Sequence, residues 1–247
     1  MATPLKFAFT AAPGAHLGLL QTLDELLGMI PNPIDWWAAS AASVTQVSGA
    51  VSAWTGAMGR QLVQADATKR PSLSGNALAM SDGNGTPRGV LALGGTQLGP
   101  SPSLTVAVRA TLDPAALLVD VHYLLGMDTP TIWRLAHRYA NNDNYFRLDS
   151  GSISISSDVP PGLAGPLDVI ISRGPSATVA GEYDVAVHVG NTVATTRLAA
   201  VPDLSAFCVG GARISTPDWP GTVSKLGIWK TAATPGEVTT LKRWLAA

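Results

Sequence analysis

The chain has 247 residues, a formal net charge of −1, 46% hydrophobic residues and only 13% charged ones. That length admits one large all-β domain or two small ones, and the near-zero charge gives no general pull toward nucleic acid or anionic membranes. The single cysteine, Cys208, excludes an intrachain disulfide framework and a cysteine-based zinc site.

Residues 1–30 are partly apolar, but Pro4, Pro13, Asp24 and Glu25 interrupt them and no basic run precedes them. No stretch reaches the roughly 18 apolar residues that span a bilayer. The expectation is a chain made in a cytoplasm without a removable leader and without membrane insertion. Within this region Leu19, Leu20, Leu23, Leu26, Leu27 and Ile30 recur at helical spacing and gather on one face of a short helix. PNP at Pro31–Pro33 ends it. That apolar face packs either on its own domain or on a partner subunit, and the subunit-docking reading treats residues 1–30 as an arm appended to a domain covering 31–247.

The stretch VSAWTGAMGRQLVQADATKRPSL, Val51 to Leu73, holds nothing suited to proton transfer. Trp54 has the area to plug one end of a core, and Gly56 and Gly59 permit a tight reversal. From Leu91 the hydrophobic period becomes two. Leu104, Val106, Val108, Ala110 and Leu112 point one way, and Thr105, Arg109 and Thr111 the other. The same reading places Val119, Val121, Tyr123 and Leu125 opposite Asp120 and His122, and Trp133, Leu135 and Tyr139 opposite Arg134 and Arg138. After the turn cluster NNDN, Phe146 and Leu148 point inward, and Tyr145, Arg147 and Asp149 outward. Gly190-Asn191 reads as a two-residue hairpin turn and DGNG at Asp82–Gly85 as another. A final helix is expected over about 234–246: Thr234 is its N-cap, Pro235 and Glu237 sit in its first turn, and Val238, Leu241 and Leu245 form its stripe.

Many short strands with one apolar face, separated by turns, describe an all-β chain: two antiparallel sheets packed as a jelly-roll sandwich, with a short helix at each end.

Together these segments resemble the concanavalin-A-like, laminin-G-like lectin-type modules of bacteriophage structural proteins. Such modules open with Val-Ser-x-Trp, a glycine turn, Gln-Ala and Arg-Pro-x-Leu, matched here by Val51, Ser52, Trp54, Gly56, Gly59, Gln64, Ala65, Arg70, Pro71 and Leu73. KLGIWKTAATPGEVTTLKRWL is similar to the last strand and helix of the module, and YDVAVHVGNTVATTR to its central hairpin. The resemblance spans about Trp36 to Leu245. It implies a virion protein (head decoration, spike, tail or fibre) that assembles with other virion proteins and with copies of itself, and that takes host-surface polysaccharide as a candidate ligand. The alternatives are a carbohydrate-binding module of a secreted bacterial protein and, last, a glycoside hydrolase.

Hydrolases of the concanavalin-A-like group carry three alternating carboxylates on one strand. Glu182 and Asp184 approach that pattern, but Ala186 and Val187 stand where the third would be, so the chain reads as a non-enzyme. His16, His122, His137 and His188 lack metal-ligand spacing and read as surface or rim histidines. No cofactor is expected; NNDN with Asp149 has oxygen donors for Ca²⁺, but without EF-hand spacing a plain hairpin loop is the favoured reading. The feature that stands out is a basic, aromatic sheet face of Arg134, Arg138, Tyr145 and Arg147, rimmed by Asn141, Asn142 and Asn144. It reads as a carbohydrate-binding surface or as a solvated face with cross-strand ion pairs.

Overall fold

The computed structural model describes residues 21–93, 98–116, 121–127, 133–140, 143–150, 153–158, 165–213 and 216–247. Helix α1 (Leu23–Met29) starts at a capping box, in which the Thr22 hydroxyl and the Glu25 carboxylate each accept the other's backbone N–H. Next come β1 (Pro33–Ala38), the hairpin of β2 (Val44–Val47) and β3 (Ala50–Thr55), and the short strands β4 (Gln61–Val63), β5 (Ser72–Ser74), β6 (Ala77–Ala79) and β7 (Leu91–Leu93). Longer strands follow: β8 (Leu104–Leu112), β9 (Val121–Met127), β10 (Trp133–Ala140), β11 (Asp143–Ser150), β12 (Ile153–Asp158), β13 (Leu167–Pro175), β14 (Tyr183–Val189) and β15 (Thr192–Leu198). The chain ends with β16 (Phe207–Val209), β17 (Gly221–Trp229) and α2 (Pro235–Ala246). Thr234 caps α2 in a second capping box with Glu237, as its sequence predicts. No helix among the described residues is long and apolar enough to cross a membrane.

The strands form two antiparallel layers. The back sheet runs β1-β17-β8-β13-β14-β15. The front sheet runs β12-β11-β10-β9-β16-β7-β4-β3-β2. The pair β5–β6 bridges from β3 to β17, so all described strands belong to one hydrogen-bonded network. β14 turns into β15 at Gly190-Asn191, and Gly190 alone supplies the positive φ, 57°. Between the layers, Val106, Val108, Ile171 and Val187 of the back sheet meet Trp54, Leu62, Leu135 and Phe146 of the front. Trp54 is fully buried at one end, its ring 6.5 Å from that of Trp37.

The opening stretch owes its shape to a buried carboxylate. Asp35 on β1 is fully buried. Its Oδ1 accepts the N–H of Trp36 at 2.7 Å and of Met58 at 2.8 Å, and its Oδ2 the N–H of Arg60 at 2.8 Å. The reversal between β3 and β4 is thereby wrapped around Asp35. Gly56 is required there, because a Cβ would fall 2.4 Å from the Asp35 carboxyl carbon.

Arg173 on β13 is also buried and has no carboxylate partner among the described residues. Its guanidinium donates to the carbonyls of Ser101 (3.2 Å), Pro102 (2.6 Å) and Ala200 (2.5 Å), and lies 3.7 Å from the centroid of the Tyr183 ring. Burial pulls its pKa down to about 10, which still leaves it charged at neutral pH.

A second apolar core covers the outer side of the back sheet. Leu27 and Ile30 pack there with Ala107, Ile170 and Trp229 and with Val238, Leu241, Trp244 and Leu245 of α2. The last carbonyls of α2 are met by cations: Arg109 donates to Leu245 O at 2.5 Å and Lys225 to Trp244 O at 2.6 Å. This corrects the subunit-docking reading of the N-terminal leucines. Leu27 and Ile30 are 0% and 2% exposed within their own chain, and Leu23 and Leu26 are half-buried. Leu19 and Leu20 lie outside the described residues. An amphipathic stripe signals a face to be buried, and the nearest apolar surface is the chain's own Trp229, whose Nε1 donates to Leu27 O at 3.3 Å.

The histidine reading also changes. His137 is 0% and His122 8% exposed, and they pair in register across β10 and β9 on the inner face. Burial in β9 runs Val121 and Tyr123 partly open, His122 and Leu124 closed, the reverse of the assignment made by strict alternation. The reason is a bulge: Leu125 pairs with Leu135 but Tyr123 with Ala136, so one extra residue of β9 shifts the parity.

If α1 is part of this core, Leu27→Ala should lower unfolding free energy by about 2–5 kcal/mol in urea titrations. An unchanged midpoint would show that the helix is dispensable to the fold.

Candidate functional site

The outer face of β9, β10 and β11 carries the basic, aromatic pattern expected from the sequence. Alternation brings Arg134, Ala136 and Arg138 of β10 to it, and Tyr145, Arg147 and Asp149 of β11. The bulge in β9 turns Tyr123 onto the same side. Ala136 lies between Tyr123 and Arg147 in register, and Arg138 opposite Tyr145. Ala136 is fully buried although it faces outward, because larger neighbours close over a small residue. The Arg134 guanidinium stands 5.3 Å from the Tyr123 ring centroid. Arg147 Nε donates to Asp149 Oδ1 at 2.5 Å. Asp149 is also the register partner of Arg134. Arg147 keeps a third of its side chain, 33%, exposed despite its ion pair.

The structure thus brings together Arg134, Arg138, Tyr145 and Arg147. Asn144 does not join them. It belongs to β11 itself, and its Oδ1 bonds His137 Nε2 at 2.8 Å, next to Phe146 in the sandwich interior. Its sequence neighbours Asn141 and Asn142 lie outside the described residues, as does Asp120. Tyr123 is the residue that alternation missed. The rim turn at Asp82–Gly85 is internally committed: Asp82 accepts from the backbone of Asn84 (3.0 Å) and Thr86 (3.3 Å) and from Arg88 (3.0 Å). The Asn84 bond, then Arg88, hold its carboxyl below the usual range. Among the described residues no cluster of three or more His, Cys, Asp or Glu side chains is arranged to hold a metal ion.

Glu182 and Asp184, the near miss for a catalytic pair, both face Arg197, at 3.9 Å and 3.0 Å. Asp184 and Arg197 border a groove of about 590 Å³ on the outer back sheet, which Ser172, Ala186, Thr195 and Ala232 also line. A smaller groove of about 310 Å³ lies where α1, β1 and the β2–β3 hairpin meet.

Beneath the arginine face, the His122 and His137 rings lie near-parallel with centroids 6.3 Å apart. Burial pushes both below the usual histidine range, and for His137 the neighbouring His122 adds to it. His188, on the outer back sheet, is lowered by burial and then by Lys242. A histidine with a depressed folded pKa is protonated first in the unfolded chain. Its stabilising contribution is full above about pH 6.5 and is lost as pH falls below that value. Urea midpoints should therefore drop between about pH 7 and about pH 5. His137→Gln, which can still bond Asn144, should make that drop shallower without removing it, since His122 and His188 act with the same sign. An identical slope in the variant would assign the effect to other groups.

No family model matches this chain, and no curated protein matches it in sequence. Solved structures do match in shape. Trypanosoma rangeli sialidase in complex with sialic acid superposes with a TM-score of 0.54 at 18% identity, over 85% of this chain and 32% of the sialidase chain. The same sialidase with a difluorinated sialic acid as covalent intermediate gives 0.56 at 19% identity, over 85% and 32%. The binding domain of botulinum neurotoxin DC in complex with SialylT gives 0.52 at 12% identity, over 87% of this chain and 51% of that one. This chain therefore spans about a third of the sialidase chain and about half of the toxin chain. At these identities the likeness is one of fold: the chain is a two-sheet antiparallel β-sandwich.

Proposed function

We propose that this protein is a non-enzymatic carbohydrate-binding module that grips acidic glycans on the outer face of β9–β11. The observation that carries the reading is the convergence of Arg134, Arg138 and Arg147 with Tyr123 and Tyr145 on an outer face that no described helix covers. Guanidinium groups hold carboxylates in bidentate geometry, and tyrosine rings offer flat apolar area to a sugar ring. Two neighbours of this fold, the sialidase and the toxin binding domain, have been solved with sialic acid and with SialylT, which favours a carboxylated sugar. The pairing of Glu182 and Asp184 with the same exposed arginine supports a structural role for both.

The virion setting rests on the sequence resemblance of Val51–Leu73 and the C-terminal strand–helix segment to phage modules. In that setting the chain is an adsorption or decoration protein displayed in many copies, made in the bacterial cytoplasm and assembled with other virion proteins. Single-site affinity is weak, near the millimolar end at about −4 kcal/mol, and display raises it without new contacts.

In a glycan or whole-cell binding assay, Arg134→Ala/Arg138→Ala/Arg147→Ala should lose binding to sialylated or uronic-acid glycans. Wild-type binding should weaken between low and high salt, since exposed charges are screened beyond about 10 Å at 0.1 M. Equal binding by a folded triple variant at both ionic strengths would locate any receptor site elsewhere. The non-enzymatic reading predicts no release of sialic acid or reducing ends; turnover that vanishes in Glu182→Gln would overturn it.

A further inference from the structure

The sequence DWWAA places two tryptophans side by side on β1, and adjacent strand residues must face opposite ways. Trp37 points into the sandwich and is 0% exposed. Trp36 takes the outer side and is half-buried. All seven tryptophans of the chain are described; the other six are 0% to 4% exposed. Trp36 is thus the single indole presented to solvent, and it lines the groove of about 310 Å³ between α1, β1 and the β2–β3 hairpin.

The remaining walls are small or hydroxylic: Ala38, Ala42 and Gly56 beside Ser40 and Thr55. Small residues leave the indole open. The polar feature at its edge is Asp24 of α1, whose Oδ1 accepts the Trp36 Nε1–H at 3.2 Å. That bond fixes the indole's orientation and leaves Asp24 Oδ2 without a hydrogen bond from the described residues. Thr55 Oγ1 accepts from Gln61 Nε2 at 3.3 Å and retains its own proton to donate. A clamped aromatic ring, an adjacent carboxylate oxygen and a hydroxyl donor answer the two sides of a pyranose: its apolar C–H face and its vicinal hydroxyls. The volume, at the low end of the roughly 300–1,000 Å³ of small-ligand sites, suits one or two rings. The carboxylate sets the class, since Asp24 repels a carboxylated sugar and accepts from a neutral one.

We infer that the Trp36–Asp24 groove is a second saccharide site, selective for a neutral hexose unit and separate from the arginine face. It lies on the helix-bearing side of the sandwich, whereas the arginines lie on the outer side of the front sheet. The inference does not depend on the arginine face binding anything.

The test is a tryptophan-fluorescence titration of the full chain with the methyl glycosides of glucose, galactose, mannose and N-acetylglucosamine, with sialyllactose as the acidic comparison. Because the other indoles are buried, the signal reports Trp36. At least one neutral glycoside should give a saturable change at millimolar concentration. Trp36→Phe, read by ligand-observed NMR, should weaken binding about tenfold. Ala42→Arg, a substitution at an exposed position of the groove wall, should abolish the response while leaving the unfolding midpoint unchanged. The Arg134→Ala/Arg138→Ala/Arg147→Ala variant should keep the full neutral-sugar response. No saturable change with any neutral glycoside, a response untouched by Ala42→Arg, or one lost in the triple arginine variant would each overturn the proposal.

Discussion

Strands β8 and β17 carry apolar side chains on both faces, so each needs cover on two sides. Val106, Val108, Leu226 and Ile228 turn toward the front sheet, while Ala107 and Trp229 turn away from it toward the helices. A strand buried this way cannot sit at the surface of a two-layer sandwich. The molecule solves the problem with a third, partial layer. Helices α1 and α2, from opposite ends of the chain, meet over the outer side of the back sheet and close it. The front sheet has no such demand: its outer face between β9 and β11 carries arginines, tyrosines, Asp149 and Ala136. Among the described residues, helices therefore lie over part of the back sheet and none lies over the outer face of β9–β11.

Cover on the back also depends on charge. Helix α2 ends over Arg109 and Lys225, whose donors occupy its last carbonyls. Asp168 stands beside Arg109 at 3.4 Å. Its carboxyl is raised by burial and pulled back by Arg109, Lys225 and Lys242. Cations at a helix C-terminus are favourable through the helix dipole, and here they come from the sheet, so helix and sheet are tied by polar contacts as well as by Trp244 and Leu245.

Much of this was legible in the sequence where one rule governs one element. Period-two alternation gives β8, β10 and β11 their faces, and Thr234, Pro235 and Glu237 mark the start of α2. The failures have a common origin in contacts distant along the chain. A strand of seven residues with one residue bulged out looks the same as a regular one, so His122 and Tyr123 were assigned to the wrong sides. The leucines of α1 declare an apolar face but not its partner, which is Trp229, two hundred residues away in sequence. Asn144 reads as a turn residue from its neighbours, yet it pairs with Tyr139 inside a strand ladder. Trp36, by contrast, was within reach, since two adjacent tryptophans in a strand cannot both be buried by the same layer.

Arg173 bears on how this fold can vary. Three carbonyl oxygens hold its charge, and every residue type at positions 101, 102 and 200 offers the same carbonyl. The contact therefore constrains one side chain and leaves those three positions free to drift. In a salt bridge, a change on one side is readily compensated by a change on the other. Here the described residues include no compensating carboxylate, and replacement by lysine would give up the planar fork that reaches several carbonyls at once. Tolerance at position 173 is set by backbone carbonyls and the Tyr183 ring, so its chemistry should persist in relatives whose surrounding loops no longer resemble these.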